Sequence, residues 1–414
     1  MRDSSSQFFV GLDIGTSQVR CVIGTMDSSS DEPKISIIGY GSSENGGMRK
    51  GVVSHIDEVT SALHNSIVEA ERVSGIKIEN ATVNINGAHV NGLNSKGVVA
   101  ISASSKQISQ ADKYRAEEAA TIVQLPSNRE IIQVFPKNYQ VDGQDSIKDP
   151  VGMQGVRLEV ETHIITATTP YLKGLDQVLK SVGVYPSSYT VSGLAGAEIV
   201  LSRKQREAGC LVVDIGASTT NIAVIEDGEV QHVAVIPIGG INITNDLAIG
   251  LKVDLEIAEK MKLKHASLAD VAKTGRVSVE KGKRNYVFEA DDVNMIVEAR
   301  VEEIFEYIDK ELEAIQKSQK LPGGAVLVGG TAKIPGLAEF AKEKLGLSVK
   351  IGSLKNVDGI MDNSKDLRVI TAVGLMYLDM IFGQDSDNHN LNKNNLNIHT
   401  GASIIRSIWS KIKP

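Results

Sequence analysis

One segment of the chain is nearly repeated at half-chain spacing. Residues 10–23 read VGLDIGTSQVRCVI and residues 211–224 read LVVDIGASTTNIAV. Asp13, Ile14, Gly15 and Ser17 fall on Asp214, Ile215, Gly216 and Ser218 at a constant offset of 201. Each copy is an apolar run, a D-x-G turn with small hydroxylated residues, and a second β-type run. That is the pattern of a β-hairpin whose first strand carries an aspartate to its tip. A single D-x-G turn is ordinary structure. Two matched copies predict an α/β chain built from two similar domains that face each other.

The turns also carry chemistry. Gly15 and Gly216 permit close approach to the turn backbone. The neighbouring N–H groups, with the hydroxyls of Thr16, Ser17, Ser218, Thr219 and Thr220, can then surround phosphate oxygens. Carboxylates repel phosphate, so Asp13 and Asp214 make sense through a cation. Mg²⁺ keeps several waters and takes one or two carboxylates together with phosphates. A third motif, AVLVGGTAKIPG at residues 325–336, reads as an apolar strand, the Gly329-Gly330-Thr331 turn, and a helix start. Bare glycine backbone can lie against a flat ring or sugar; the alternative is a plain strand-to-helix turn. There is no GxxxxGK[ST], and no GxGxxG follows the first strand, which argues against a P-loop or Rossmann site.

These three motifs, in this order, resemble the superfamily of actin, Hsp70 and the sugar kinases. Within it the chain resembles the FtsA family of bacterial cell-division proteins. The specific segments are KDPVGMQGVRLEV (residues 148–160), VSGLAGAEIVL (191–201), IPIGGINITNDLA (236–248), VGGTAKIPG (328–336) and TAVGLMY (371–377). The resemblance implies an actin-like, ribonuclease H-like two-domain ATPase fold that holds ATP and Mg²⁺ between its halves. It makes Asp13, Gly15, Thr16 and Ser17 the first phosphate loop and Asp214, Gly216, Ser218 and Thr219 the second. Asp13 and Asp214 would hold the Mg²⁺ through water. Gly329, Gly330 and Thr331 would border the adenosine, and Gly239, Gly240 and Asn242 would lie near the nucleotide. In AEKMK (258–262), Glu259 and Lys262 would approach ribose and adenine; otherwise they are a solvated helix face. Bacterial actins such as MreB begin the connecting helix with a carboxylate that positions the attacking water. Here Ser192 stands at that position. Serine is a poor base at neutral pH, so hydrolysis is expected to be slow and no catalytic residue is assigned.

The family's domain pattern divides the chain accordingly. Residues 1–82, 166–207 and 366–382 form the first actin-like domain, and 208–243 with 321–365 the second. Residues 83–165 form an inserted α+β subdomain, read as strands near 81–86, 98–101, 131–141 and 156–165 around a helix at 110–123. Its lone histidines, His89 and His163, read as structural rather than as metal ligands. Residues 244–320 form a smaller subdomain. Its long helix, from Asp292, repeats apolar residues at i, i+3 and i+4 through Ile315, the mark of one buried face. By resemblance this subdomain captures the C-terminal peptide of FtsZ, the insertion contacts later division proteins, and the protein polymerises with itself.

Composition matters most at the end of the chain. The net charge of −7 and the absence of a basic stripe speak against nucleic-acid binding. Two cysteines without a CxxC exclude a disulfide framework and suit a reducing cytoplasm. There is no secretory pattern and no run of ~20 apolar residues. Residues 383–400, rich in Asn and Asp, read as a flexible linker. Residues 401–414, GASIIRSIWSKIKP, then place Ile404, Ile405, Ile408, Trp409 and Ile412 within an arc of about 140° on a helix at ~100° per residue. Arg406, Lys411 and Lys413 lie on the other face. This is the pattern of a basic amphipathic helix that lies on anionic lipid, here on the cytoplasmic face of the inner membrane at the division septum; the alternative is a helix packed back on the protein. Two other functions share the superfamily motifs: a PilM-like adaptor in pilus or secretion assembly, and a small-molecule kinase.

Overall fold

The computed structural model describes residues 7–27, 34–102, 105–269, 275–354, 357–359 and 366–388. Each repeated segment is a β-hairpin at the centre of its own sheet. In the first, Phe8–Ile14 pairs antiparallel with Gln18–Asp27, which pairs antiparallel with Lys34–Glu44. Asn80–Ile85 joins parallel to the first strand, and Tyr185–Val191 joins parallel beyond it. In the second, Cys210–Ile215 pairs antiparallel with Thr220–Glu226, followed by Glu229–Ile236, while Ala325–Val328 and Val349–Ile351 extend the other side in parallel. The central strands are almost continuous apolar runs because helices cover both faces. Leu12 and the run Leu211-Val212-Val213 are completely buried.

The helices Ser192–Val200 and Ile370–Asn388 cross between the sheets. Their contact is backbone on backbone: a Cβ built on Gly374 would lie 2.0 Å from the Ala195 carbonyl oxygen. One on Gly11, in the first hairpin, would lie 2.2 Å from the Ala372 carbonyl. Glycine is required at both positions for the halves to close this tightly. Asp379 ties the same helix to the first sheet, accepting from the Val10 amide at 2.9 Å and the Thr82 hydroxyl at 2.9 Å. In the second half, helix Ala290–Ala314 buries Val293, Val297, Val301, Ile304, Phe305, Ile308 and Leu312, the face its periodicity predicts.

Several boundaries differ from the sequence reading. Asn80–Ile85 belongs to the first sheet and not to the insertion, because its parallel pairing with Phe8–Ile14 decides its place. The inserted sheet runs Asn91–Ala100, Arg157–Thr168, Arg129–Val141 and Gln144–Ile147, with helix Gln110–Thr121 against it. Its first strand starts seven residues before position 98. An edge strand half in solvent needs few apolar residues, so NGLNSKG gave no strand signal. Val357–Gly359 returns to the first sheet, parallel to Lys34–Glu44, ahead of the boundary expected at 366. The last helix continues past Phe382 to Asn388, so composition changes before the helix ends; extending an existing helix requires only one hydrogen bond per added residue. Residues 389–414, with the expected lipid-binding helix, lie outside the described residues. Among the described residues, no helix is long and apolar enough to cross a membrane.

The insertion also rests on the second half. His163 Nε2 accepts from the Val233 amide at 3.2 Å, and its Nδ1 meets Asn94 Oδ1 at 2.8 Å. Both ring nitrogens are thus engaged and the imidazole is neutral; burial pushes its pKa down to about 3. The helix crossing yields a stability prediction. Gly374→Ala should cost about 1–3 kcal/mol or more through overpacking. Gly174→Ala, in an open helical position, should gain up to about 1 kcal/mol from helix propensity. Urea unfolding of the two variants checks this, and equal midpoints would exclude the backbone contact as the cause.

Candidate functional site

The two hairpin tips meet. Thr16 Oγ1 and Ser218 Oγ, one from each half, are 2.6 Å apart. Behind each tip sits a buried aspartate, with Asp13 at 8% exposure and Asp214 at 7%. One oxygen of Asp13 accepts from Asn84 Nδ2 at 2.7 Å, and the other faces Arg20 at 3.5 Å. Asp214 accepts from the Thr371 hydroxyl at 3.0 Å. Burial pushes Asp13 up to about 6, against the pull of Arg20 and with the help of Asp214's like charge. Burial also raises Asp214, opposed by the Thr371 hydrogen bond and by Arg20.

Each tip is held from behind. Asn45 Nδ2 donates to the Gly15 carbonyl at 2.8 Å, and Asn84 Oδ1 accepts from the Ile14 amide at 2.7 Å. On the second tip the Gly240 amide donates to the Gly216 carbonyl at 3.0 Å, and the Thr331 hydroxyl donates to the same oxygen at 3.1 Å. Gly239, Gly240 and Asn242 therefore abut the second loop, with the Gly239 amide donating to Asn242 Oδ1 at 3.1 Å. Lys262 Nζ reaches the Gly240 carbonyl at 3.0 Å, Thr244 Oγ1 at 2.8 Å and Glu259 at 2.7 Å. Glu259 and Lys262 are thus brought to the site's edge, and Lys262 already braces it. Gly329, at φ 89°, is fitted to Asp214: a Cβ there would lie 2.4 Å from Oδ1. Gly330 lies beside Arg368.

The donors and acceptors suit a phosphate bound with a divalent cation. Among the described residues, the amides of Thr16, Ser17, Ala217 and Ser218 have no protein acceptor, so both turns present free donors. No cluster of three or more His, Cys, Asp or Glu among the described residues is placed to hold a metal. Two carboxylates alone suit a cation that keeps its water and takes its remaining ligands from a bound phosphate. Thr219 is buried beside the second tip. Thr220 drops out of the phosphate set, because its hydroxyl donates to the Ile238 carbonyl at 2.9 Å. The sequence reading passed over Arg20, Asn45, Asn84 and Thr371. Arg20 and Thr371 lie inside motifs singled out by sequence, whereas Asn84 reaches the site through strand pairing and Asn45 from the turn after Lys34–Glu44.

The family description "Cell division protein FtsA" matches residues 211–374, and "SHS2 domain inserted in FTSA" matches residues 87–166. The chain is 36% identical over 377 residues to the cell division protein FtsA of Bacillus subtilis, covering 90% of this chain and 83% of that protein. Among solved structures it resembles the PilM-PilN type IV pilus biogenesis complex, with TM-score 0.64 at 18% identity over 90% of this chain and 98% of that one. It also resembles MreB5 of Spiroplasma citri bound to ADP, with TM-score 0.56 at 13% identity over 92% and 99%. At those identities the likeness is one of fold, and the fold is actin-like with an inserted SHS2 domain.

The aspartate pair carries a pH signature. Asp13 has a folded-state pKa of about 6 against an ordinary 3.8, so through this group the free protein loses stability as pH rises across that interval. Asp214→Asn removes the like charge and should lower the Asp13 pKa. Urea unfolding of both proteins at pH 5 and pH 7 checks it: the wild type should lose about 1 kcal/mol more than the variant between the two pH values. Identical pH dependence would exclude the coupling.

Proposed function

The chain belongs to the FtsA family of cell division proteins, and from that premise we propose that it is an actin-like ATP-binding protein of the division septum. It polymerises on the inner face of the cytoplasmic membrane, tethers FtsZ filaments there and helps recruit later division proteins. The observation that carries the nucleotide reading is the meeting of two glycine-containing hairpin tips over two buried aspartates. The free amides of Thr16, Ser17, Ala217 and Ser218 hold the phosphates. Gly329, Gly330 and Thr331 border the adenosine, with Glu259 toward the ribose. Mg²⁺, when bound, offsets the negative charge of the phosphates and of Asp13 and Asp214.

ATP acts chiefly as a conformational ligand. Ser192 Oγ accepts from Asn86 Nδ2 at 2.9 Å and lies 3.4 Å from Asn84 Nδ2. A hydroxyl whose lone pairs are engaged by two amide donors is a poor proton acceptor, so turnover is slow. The subdomain spanning residues 244–320 takes the FtsZ C-terminal peptide, and the insertion meets later division proteins. The basic, apolar-patterned segment 401–414 binds anionic lipid weakly, so several copies along a polymer hold the membrane by avidity. The PilM-like adaptor shares this fold but at low identity, and a small-molecule kinase would have no use for the basic, apolar-patterned segment at 401–414.

Two measurements test the proposal. Mg²⁺-ATP should raise the unfolding temperature of the purified protein; no shift at millimolar nucleotide would overturn the nucleotide site. With vesicles containing anionic lipid, the full chain should cosediment and carry FtsZ down with it, whereas a chain ending at residue 400 should lose at least tenfold of its vesicle binding. Undiminished binding would sink the anchor.

A further inference from the structure

Glu229–Ile236 is an edge strand of the second sheet, so its outward peptide groups need partners that its own sheet does not supply. The insertion supplies them at Val233. His163 Nε2 accepts from the Val233 amide at 3.2 Å. A Cβ built on Gly92 would lie 2.7 Å from the Val233 carbonyl oxygen and 2.6 Å from His163 Nε2. Gly92 is not left-handed, so glycine is required there for the close approach alone. Asn94 stands opposite His163, and its Oδ1, 2.8 Å from Nδ1, takes the ring proton and leaves Nε2 as the acceptor. On the far side His232, next to Val233, is held by Glu311 of helix Ala290–Ala314 at 2.9 Å. Lys148 adds a second touch, donating to the Asp227 carbonyl at 2.6 Å in the turn before the same strand. The insertion is fixed to the first half by its two chain connections and by Gln133, whose Nε2 donates to Thr190 in strand Tyr185–Val191 at 3.1 Å. It therefore spans both halves.

We propose that the insertion is a clasp: by gripping Val233 with His163 and Gly92 it sets the angle between the halves and governs how fast nucleotide leaves the cleft. The inference rests on the nucleotide reading above and adds its regulation. The grip resists displacement both ways. Separation breaks the hydrogen bond to His163, which would leave a buried amide unpaired. Approach is blocked, because not even a methyl group fits between Gly92 and the Val233 carbonyl. Any rotation of one half against the other must therefore work against this contact. A nucleotide held by both halves strengthens the clasp by the same factor by which the clasp strengthens nucleotide binding. A partner that draws the insertion away from Val233 thus shortens the residence of the nucleotide.

The test follows release of a fluorescent ADP analogue, mant-ADP, chased with ATP from the full chain, beside hydrogen exchange of the amides at 229–236. His163→Leu removes the acceptor; it should speed release about fivefold, the worth of one net hydrogen bond, and lower protection at 229–236. His163→Gln, which keeps an acceptor on the side chain, should stay within about twofold of the wild type. In the opposite direction, Lys148→Cys with Glu229→Cys, bridged by a short bis-maleimide, should slow release several-fold. The native Cys21 and Cys210 are buried and do not compete for the reagent. Unchanged release in His163→Leu despite lost protection at 229–236 would overturn the clasp. So would unchanged release after bridging, which decides the matter if His163→Leu fails to fold. A wild-type chain that binds no nucleotide would instead overturn the nucleotide reading itself.

Discussion

Two carboxylates buried within one cleft form the constraint on which the rest of the structure depends. Burying like charges is expensive, and a protein tolerates it only where counter-charge, hydrogen bonds or a ligand offset the cost. Arg20 supplies one positive charge, while Asn84 and Thr371 supply directed hydrogen bonds. In the function proposed above, the residual negative charge is offset by a cation that enters with its anion. The actin-like halves are therefore joined by an electrostatic demand as well as by packing.

That demand is met only because the tips are held in register. Gly11 and Gly374 let the closing helix touch both the first hairpin and the connecting helix backbone to backbone. A gap there would loosen the angle between the halves, and with it the contact between Thr16 and Ser218. Asp379 pins the same helix to the first sheet from the far side. The insertion, docked through His163 on Val233, gives the halves a second meeting point away from the cleft. Motion that opened the cleft would have to strain one of these two contacts.

The site was legible in the sequence to the extent that it is local. Aspartate, glycine and hydroxyl residues in a hairpin turn announce themselves because consecutive residues build the loop. Lys262 and Glu259 were legible only by family resemblance, since charged pairs at helical spacing occur on most surfaces. Asn45 and Asn84 carry no local signal. They matter because strand pairing puts Asn84 beside Asp13 and a turn brings Asn45 under Gly15. Thr220 shows the converse, a hydroxyl in the right motif that the fold spends on Ile238.

The sequence by itself determined the two-fold plan, the hairpin tips, the buried face of the long helix and the family. Each is written in residues close together in the chain or in a repeat that can be aligned. Only the tertiary structure decided that the unequal charge of the repeat falls beside two aspartates buried in one cleft. It also decided where the inserted sheet begins, and that residues 357–359 return to the first sheet. These outcomes depend on pairings between distant residues, and pairing energy is set by the neighbours a strand finds rather than by its own composition. Arg20 and Asn221 occupy equivalent places in the repeat, yet their difference acquires meaning only when both aspartates are buried in one cleft.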